Sequence, residues 1–444
     1  MRKKILLKNG FVVSHDAIQK ADILIENQQF VEINNSINYS DATIINLEGL
    51  YIFPGLIDTH VHFREPGLTH KADIYSESKA SIAGGITTVI DMPNTIPYAD
   101  SIDIINDKKR IALSKSHVNI GFFIGAQSQN LDTLLSVDPT EVAGIKLFMG
   151  SSTGNVMVDD SSYLQKLFEN ASIPIAVHAE DETIIKNNLE HYKRVYNNDI
   201  PFALHTLIRS SEACFKATQK AIMLAQLNNT PLHILHVSTH EELSLFNIQQ
   251  YPNITAEVCL PHLWFTVDDF ASLKGFLKCN PSVKSQTDRE LLRQAIQSEK
   301  VFSVATDHAP HTREEKLKPY LQCPSGMPFI QHSLQCMIEL HKQNYFPLTV
   351  IAQKMAYNPA LRFNIKNRGQ IKEGYYADLV IVNLSKTKKV NKSSILYKCQ
   401  WSPLQETTFS SIIEYTFVNG KMVFHNGKII SEPQGMLLEY NRFK

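Results

Sequence analysis

Two histidines one residue apart end a predicted β-strand and could bind one metal ion together. They lie in the segment 58–67, DTHVHFREPG, which follows an apolar run. Because side chains alternate between the two faces of a strand, His60 and His62 point the same way, about 6–7 Å apart along the backbone. Neutral imidazole is the commonest metal ligand in proteins. Taken alone, the pattern also fits two histidines that are simply packed at a strand end.

Further polar residues end or interrupt later predicted strands. They are Asn94, Lys146, His178, His236 and Asp307. Taken singly, each histidine also fits a hydrogen-bonded residue at a strand end, and the aspartate also fits a helix cap. If His178 and His236 lie at the same edge of the fold as His60 and His62, four imidazoles come together. Four imidazoles are enough to ligate two metal ions with two nitrogens each. Asp307 would add one negative charge, as a ligand and as a proton acceptor beside a water molecule.

Lys146 interrupts the apolar run 144–149, GIKLFM. Alternation points it into the protein if Ile145 and Leu147 face outward. An unpaired ammonium beside two dications would be very costly. Either a carboxylate pairs with Lys146, or its neutral amine has captured carbon dioxide as a carbamate that bridges the metal ions. The chemistry favours the carbamate because it reverses the charge and supplies a bridging anion, but the residues alone leave both interpretations open.

Predicted strands and helices alternate through the middle of the chain, with loops between them. Apolar strands are predicted at 56–62, 87–92, 118–124, 143–148, 173–178, 232–237, 254–259 and 301–306. Helical stretches such as 74–83 and 209–226 alternate with them, which predicts an α/β protein with a (β/α)8 TIM barrel carrying insertions. A doubly wound open sheet is the competing architecture. The polar residues favour the barrel, because active sites of such barrels lie at the carboxyl ends of the strands.

Both ends of the chain are rich in short strands and turns. Asn-Gly pairs between β-rich runs, at 9–10, 419–420 and 426–427, are strong hairpin signals. Because both ends show the same succession of short strands and turns, we predict that they meet in one small β-sandwich domain. We therefore expect residues 1–52 and 366–444 to form this domain, and residues 53–365 to form the barrel.

Composition argues against several classes of partner. Forty-four basic and forty-four acidic residues cancel, whereas a nucleic-acid-binding protein shows a net basic surface or stripe. No apolar run approaches the ~20 residues that cross a bilayer, and the first residues lack the apolar core of a secretion signal. Six scattered cysteines without a Cys-x-x-Cys pair indicate reduced thiols. We expect a cytoplasmic protein without nucleic-acid or membrane partners, whose metal ligands are nitrogen and oxygen.

Five motifs share a resemblance to one enzyme family. They are DTHVHFREPG at 58–67, DMPNT at 91–95, GIKLFM at 144–149, HVST at 236–239 and ATDHAPH at 305–311. Over its whole length the chain resembles the cyclic amidohydrolases, and most closely the dihydroorotases. The resemblance implies reversible, zinc-dependent hydrolysis of the small molecule dihydroorotate to N-carbamoyl-aspartate, a step of pyrimidine biosynthesis. It also implies a homodimer.

The resemblance assigns metal ligands as well. One zinc ion would be held by His60, His62 and Asp307, and the other by His178 and His236. Carbamylated Lys146 would bridge the two ions, and Asp307 would also be catalytic, accepting a proton from the attacking water. Some bacterial dihydroorotases use instead an aspartate from the loop after the fourth strand, and Asp159 and Asp160 lie in that region here. The identity of the bridge therefore stays open.

Arg64 is the residue that best discriminates among the substrates of this family. Two residues past His62, it lies on the same strand face and can bind a substrate carboxylate through two hydrogen bonds. Dihydroorotate carries such a carboxylate, whereas similar allantoinases tend to have asparagine at the matching place. The alternative is a surface arginine paired with Glu65. By resemblance, further substrate contacts would come from Asn94, Asn280, His311, Ser325 and Gly326.

Two alternative functions remain open. A hydantoinase or allantoinase would use the same metal ligands to open a different ring. An inactive barrel could serve as a scaffold for a partner such as a carbamoyltransferase. Relatives of that kind lose several metal ligands, whereas this chain keeps all of them, so we expect an enzyme.

Overall fold

The N-terminal part of the chain forms strands of a β-domain. The computed structural model describes residues 4–150, 158 and 160–442. Its first strands are β1 (Lys4–Val13), β2 (Ile18–Glu26), β3 (Gln29–Asn34), β4 (Thr43–Asn46) and β5 (Tyr51–Pro54). β1 pairs antiparallel with β2 and parallel with both β4 and β5. The predicted hairpin at Asn9-Gly10 is wrong: β1 runs through this pair with a bulge-like register shift between Leu7 and Gly10.

Parallel strands then build the barrel. They are β6 (Leu56–Val61), β7 (Ile86–Asp91), β8 (Asn119–Phe122), β9 (Ile124–Gly125), β10 (Ile145–Phe148), β11 (Ile175–His178), β12 (Leu232–Ile234), β13 (Ile254–Cys259) and β14 (Ser303–Ala305). β9 continues β8 after one residue, so the two count as one barrel strand and the described ranges contain eight barrel strands. The last closes on the first, since His62 N donates to His308 O at 2.8 Å. The predicted barrel is confirmed and the open sheet is wrong.

Helices cover the outside of these strands. They are α1 (Ile74–Ala83), α2 (Ile102–Lys115), α3 (Leu131–Ser136), α4 (Ser161–Asn170), α5 (Glu182–Val195), α6 (His205–Ile208), α7 (Ser211–Asn228), α8 (Leu260–Trp264), α9 (Phe270–Leu273), α10 (Gln286–Ala295), α11 (Arg313–Lys316), α12 (Ser333–Lys342), α13 (Leu348–Ala352) and α14 (Asn358–Arg362). Every residue of the barrel strands is buried, because helices cover one face and side chains fill the other.

Short helical turns connect several of these elements. The 3₁₀ turns are Phe202–Leu204, Glu242–Leu245, Val267–Asp269, Lys274–Leu277, Ile330–His332 and Lys392–Ser394, and a π-turn, Gln353–Tyr357, joins α13 to α14. Several helices begin at a side-chain cap of the kind that satisfies first-turn N–H groups. Ser285 and Asp288 form a capping box at the start of α10, and Ser210 caps α7.

Of the C-terminal strands, four complete the β-domain, and the two at Lys388–Lys389 and Thr408–Phe409 pair with each other in a separate two-stranded sheet. In order, the C-terminal strands are β15 (Leu379–Asn383), β16 (Lys388–Lys389), β17 (Thr408–Phe409), β18 (Ile412–Val418), β19 (Lys421–His425) and β20 (Lys428–Ile429). One nine-stranded sheet has the order β20-β19-β18-β15-β5-β1-β2-β3, with β4 also on β1. The predicted β-domain from both chain ends is confirmed. The hairpins at Asn419-Gly420 and Asn426-Gly427 are present, with positive φ at all four residues.

A buried polar network joins this β-domain to the barrel. Arg368 forms an ion pair with Asp378, and its Nη1 donates to Asn419 Oδ1 at 2.9 Å. Asn119 of β8 donates to Asp378 Oδ2 at 3.2 Å and accepts from Asn419 Nδ2 at 2.8 Å. We call these four residues the domain network. Its one positive and one negative charge balance.

After the last strand the chain returns to the barrel. Ile120 N donates to Met436 O at 2.9 Å, and Leu438 N donates to Ile120 O at 3.0 Å. The domain bounds 1–52, 53–365 and 366–444 stay predictions. All six cysteines are free, as predicted. Among the described residues, no helix combines the length and apolar character that crossing a membrane requires.

Candidate active site

A cleft of about 380 Å³ lies where the barrel strands end. Its walls contain every predicted site residue except His311. The lining residues are His60, His62, Arg64, Asn94, Lys146, Phe148, His178, His236, Asn280, Asp307, Ala309, Ser325 and Gly326. The barrel therefore brings together side chains that are far apart in the sequence, as the strand-end pattern predicts.

Asp307 and the two histidines of β6 and its end form the first group of candidate ligands. Asp307 Oδ1 lies 3.2 Å from His60 Nε2 and 3.1 Å from His62 Nε2. Burial raises the pKa of the Asp307 carboxyl group, but positive charge on the side chains of His60, His62 and Lys146 outweighs burial and brings it down to about 2. The carboxylate is therefore ionised at neutral pH.

Hydrogen bonds on the far side of the imidazoles direct lone pairs toward Asp307. His60 Nδ1 donates to Glu257 Oε1, and His62 Nδ1 donates to Asn94 Oδ1, each at 2.6 Å. Burial lowers the pKa of His62 to about 4, so at neutral pH its Nε2 carries a lone pair. A lone pair 3.1 Å from a carboxylate oxygen is repulsive unless a cation lies between them. The three residues therefore fit a metal ion.

His178 and His236 form the second group. His178 Nδ1 lies 2.9 Å from His236 Nε2, and the His236 ring centroid is 5.4 Å from that of His60. His178 Nε2 lies 3.0 Å from Glu180 Oε2, which leaves Nδ1 free to face His236. Burial lowers the pKa of both imidazoles. Two such nitrogens share either a proton or a metal ion, so this pair fits a second ion.

The ammonium group of Lys146 on β10 reaches the same cleft without a hydrogen bond or ion pair to any residue that the structure describes. Lys146 is 1% exposed, and its Nζ lies 4.4 Å from the Phe148 ring centroid. Burial lowers the pKa of its ammonium to about 7, against the opposing effect of Asp307 and Glu257. The carboxylate partner that the sequence leaves open is not found in the described ranges. A neutral amine is the form that reacts with carbon dioxide, so Lys146 fits the predicted carbamate.

The structure describes only one of the two aspartates that could bridge the metal ions in place of Lys146. Asp159 lies outside the described residues. Asp160 is exposed and caps α4, its Oδ1 accepting from Tyr163 N at 2.7 Å. Asp160 does not line the cleft. Its contacts are those of a helix cap.

Arg64 is buried at the cleft wall, only 2% exposed, so the surface alternative is wrong. Its Nε donates to Pro310 O at 3.2 Å, and Glu65 pairs with Lys115 rather than with Arg64. Burial lowers the pKa of the guanidinium to about 10, which leaves it charged at neutral pH. Within the described chain no carboxylate forms an ion pair with it. Arg64 thus presents an unneutralised cation to the cleft.

His311 supports the cleft wall from behind. It is fully buried, and its Nδ1 accepts from Lys71 Nζ at 3.1 Å. Its Nε2 then donates to Ser325 O at 3.0 Å, and the same nitrogen lies 3.2 Å from Arg64 Nη2. Trp401 Nε1 donates to His311 O at 2.8 Å. His311 therefore lies between Arg64 and the loop that carries Ser325.

Glu257 is a site residue that the sequence analysis missed. It is fully buried on β13, accepts from His60 Nδ1 at 2.6 Å and lies 3.3 Å from His233 Nε2. Burial raises the pKa of the Glu257 carboxyl group, but the two imidazoles lower it further, to below its ordinary value. A carboxylate behind a histidine fixes the tautomer of a metal ligand. The available signal was the same as for Lys146, a charged residue inside an otherwise apolar strand.

Three site residues have backbone conformations that residues other than glycine rarely adopt. The φ angles of Arg64, His236 and Asp307 are 66°, 41° and 49°. Left-handed backbone is unfavourable for residues with a Cβ and concentrates at functional sites. The surrounding barrel holds these residues so that their side chains reach the cleft.

Known proteins resemble this chain over nearly its whole length. The Amidohydrolase family matches residues 51–423. A dihydroorotase of Sulfurihydrogenibium sp. (strain YO3AOP1) is 34% identical, over 95% of this chain and 100% of the relative. An allantoinase of Deinococcus radiodurans is 28% identical, over 99% of each chain. The solved L-hydantoinase (dihydropyrimidinase) from Arthrobacter aurescens has a TM-score of 0.93 at 25% identity, over 99% of this chain and 100% of that chain.

Proposed function

Because the chain belongs to the amidohydrolase family, we propose that it is a dihydroorotase. It would hydrolyse the ring amide of dihydroorotate to N-carbamoyl-aspartate, and close the ring in the reverse direction. The proposal gains support from the dihydroorotase relative that is 34% identical over 95% of this chain.

The unneutralised Arg64 is the observation that carries this choice of substrate. A buried guanidinium without a carboxylate is unfavourable, and an anionic ligand would remove that penalty. Dihydroorotate and N-carbamoyl-aspartate both carry a carboxylate that a planar guanidinium can bind through two hydrogen bonds. Hydantoin and allantoin are uncharged rings without a carboxylate. An arginine at this place therefore favours dihydroorotate.

The cleft would hold two zinc ions. His60, His62 and Asp307 would bind one, His178 and His236 the other, and a carbamate on Lys146 would bridge them. When bound, such ions polarise an amide carbonyl and make water nucleophilic at neutral pH. The carbamate would also remove the positive charge of Lys146 from beside the ions.

The protein's own groups would then handle binding and proton transfer. Arg64 would hold the substrate carboxylate in both directions of the reaction. Asp307, ionised at neutral pH, would accept a proton from the attacking water and deliver it to the departing ring nitrogen. Asn280, Ser325 and Gly326 line the same cleft and would contact the ring.

The test is an assay of the purified, zinc-loaded protein with both dihydroorotate and N-carbamoyl-aspartate, each product being quantified by chromatography. We expect conversion in both directions. Arg64→Met should lower kcat/KM for dihydroorotate by about 100-fold, and Arg64→Lys should recover only part of the loss because a lysine cannot bind a carboxylate bidentately. Inertness toward both compounds would refute the proposal.

A hydantoinase or allantoinase is the second candidate. It is favoured by the allantoinase relative, which is 28% identical over 99% of each chain. Hydantoin and allantoin are therefore included in the same assay. If either is turned over faster than dihydroorotate, and Arg64→Met leaves that rate unchanged, the second candidate replaces the first.

A further inference from the structure

The loop 317–326 brings Ser325 and Gly326 to the cleft without a helix or strand of its own. Leu317 and Leu321, its largest apolar side chains besides a buried tyrosine, are 65% and 43% exposed. Apolar packing therefore holds only part of this loop. Its position must depend on other contacts.

Two buried lysines supply those contacts. Lys316 is 1% exposed, and its Nζ donates to Lys278 O at 3.1 Å and to Pro324 O and Gly326 O at 2.8 Å each. Lys278 is 8% exposed, and its Nζ donates to Tyr320 O and Cys323 O, both at 2.7 Å. Together the two ammonium groups bind four carbonyls of the loop. Hydrogen bonds from a charged donor are the stronger kind.

Neither ammonium forms an ion pair with a carboxylate in the part of the chain that the structure describes. Burial lowers the pKa of Lys316 to about 7 and that of Lys278 to about 8. Burying a cation without a counter-charge is unfavourable, and the carbonyl hydrogen bonds are what offsets it here. The two lysines are therefore tied to the loop rather than to an acidic partner.

The main chain that these lysines contact is hydrogen-bonded to residues that line the cleft. Lys278 O accepts from Gly326 N at 2.8 Å as well as from the ammonium of Lys316. Asn280, two residues further along, lines the cleft. Gly326 has a φ of +132°, and a Cβ placed on it would lie 2.5 Å from Ala309 O, so its main chain packs closely against Ala309. A displacement at either lysine would move this wall of the cleft.

We propose that Lys316 and Lys278 are positioning residues for substrate recognition, which hold the loop 317–326 so that its main chain fits the substrate ring. Neither side chain lines the cleft itself. The loop anchoring stands on the contacts above, whereas the identity of the substrate rests on the proposed function. The lysines act through Ser325 and Gly326, away from the metal ligands.

The test is Lys316→Met in the zinc-loaded, full-length enzyme. We expect KM for dihydroorotate to rise about tenfold or more, with kcat within about twofold and zinc content unchanged, because substrate contacts are loosened while the metal ligands stay in place. Hydrogen–deuterium exchange of peptides covering 317–326 should become faster. If KM and exchange of these peptides both stay at wild-type values, the proposal is wrong.

Lys354→Met is the matched control. Lys354 is also a buried lysine, 2% exposed, whose Nζ donates to the carbonyls of Ser298 and Val301 at 2.9 and 2.6 Å. Those carbonyls precede β14, at the opposite end of the barrel from the cleft. This variant should lose stability but keep the wild-type KM and the wild-type exchange of 317–326. A KM increase equal to that of Lys316→Met would attribute the effect to general destabilisation and overturn the proposal.

A second variant keeps the test decisive if Lys316→Met does not fold. Lys278→Met removes two carbonyl hydrogen bonds instead of three and should show the same pattern more weakly. The exchange measurement separates this proposal from the proposed function. If the wild-type enzyme converts no cyclic amide, the proposed function fails, and faster exchange of 317–326 in the lysine variants still supports the anchoring. Unchanged exchange overturns it.

Discussion

Two buried polar clusters in this protein differ in how completely they are satisfied. In the domain network, Arg368 faces Asp378, and the two asparagines complete the hydrogen bonds. In the cleft, Arg64 forms no ion pair with an acidic residue that the structure describes, and the ammonium group of Lys146 forms no hydrogen bond with one. The cations of both clusters are buried, since Arg64, Lys146 and Arg368 are 2%, 1% and 4% exposed. The first needs nothing further, whereas the second becomes balanced only when ligands enter.

The difference separates structural from functional polar groups. A complete buried network stabilises one arrangement of the two domains, and removing either charge leaves the other uncompensated. An incomplete network lowers stability and is retained where it binds something. Changes in the cleft should therefore alter chemistry, and changes in the domain network should alter stability.

Asp307→Ala should have the largest effect on chemistry. Loss of the proton acceptor is expected to lower kcat on the order of 10³-fold. Zinc content, measured by elemental analysis, should remain substantial because the histidines are unchanged. A variant that keeps more than a tenth of the wild-type kcat would show that another group accepts the proton.

Asp378→Asn should have the largest effect on stability. It leaves the Arg368 guanidinium buried without a counter-charge, which should lower the free energy of unfolding by about 3–5 kcal/mol in urea titrations. The kcat of the folded fraction should not change. Glu439→Gln is the control, because the exposed Lys366–Glu439 pair, 2.8 Å apart, should contribute less than about 1 kcal/mol. Equal losses in the two variants would remove the distinction between the clusters.

Lys146→Ala should lower kcat by about 100-fold and reduce the zinc content, because a bridging ligand matters at least as much as the partners behind a ligand. Acetate or propionate added to the buffer should restore part of the activity by replacing the carbamate. Asp160→Ala is the control and should lose about 1 kcal/mol of stability, as for a helix cap, with no change in kcat. Wild-type activity in Lys146→Ala would move the bridge to the loop that contains Asp159.

Glu257→Gln should have the smallest effect of the four. Weakening the hydrogen bond behind His60 should lower zinc affinity by about 10–100-fold, measured by competition with a chelator. At saturating zinc the kcat should stay near the wild-type value. An unchanged zinc affinity would show that His60 does not bind the metal through Nε2.

Much of this architecture could be predicted from the sequence, because the relevant signals are local. The barrel strands are continuous apolar runs, and residues such as His178 and Asp307 stand where those runs stop. The helix predicted at 74–83 has those bounds in the structure. The hairpin at Asn9-Gly10 was wrong because a dipeptide that favours a turn also fits a bulge within one long strand.

What could not be predicted depends on contacts between distant residues. Asn119 and Asn419 meet at 2.8 Å although 300 positions separate them. Lys278 and Lys316 look like ordinary charged residues, and only the folded loop shows that backbone carbonyls surround them. No local pattern reports that Trp401 donates to the carbonyl of His311.

The shared β-domain also has a consequence for biosynthesis. β5 lies between β1 and β15, and it runs into the first barrel strand through Gly55. On the ribosome, β5 lacks one neighbour until residues 379–383 have emerged, so the nascent chain carries an open sheet edge while the whole barrel is being made. Premature termination before β15 would therefore leave the strand that leads into the active site without the pairing that fixes its start.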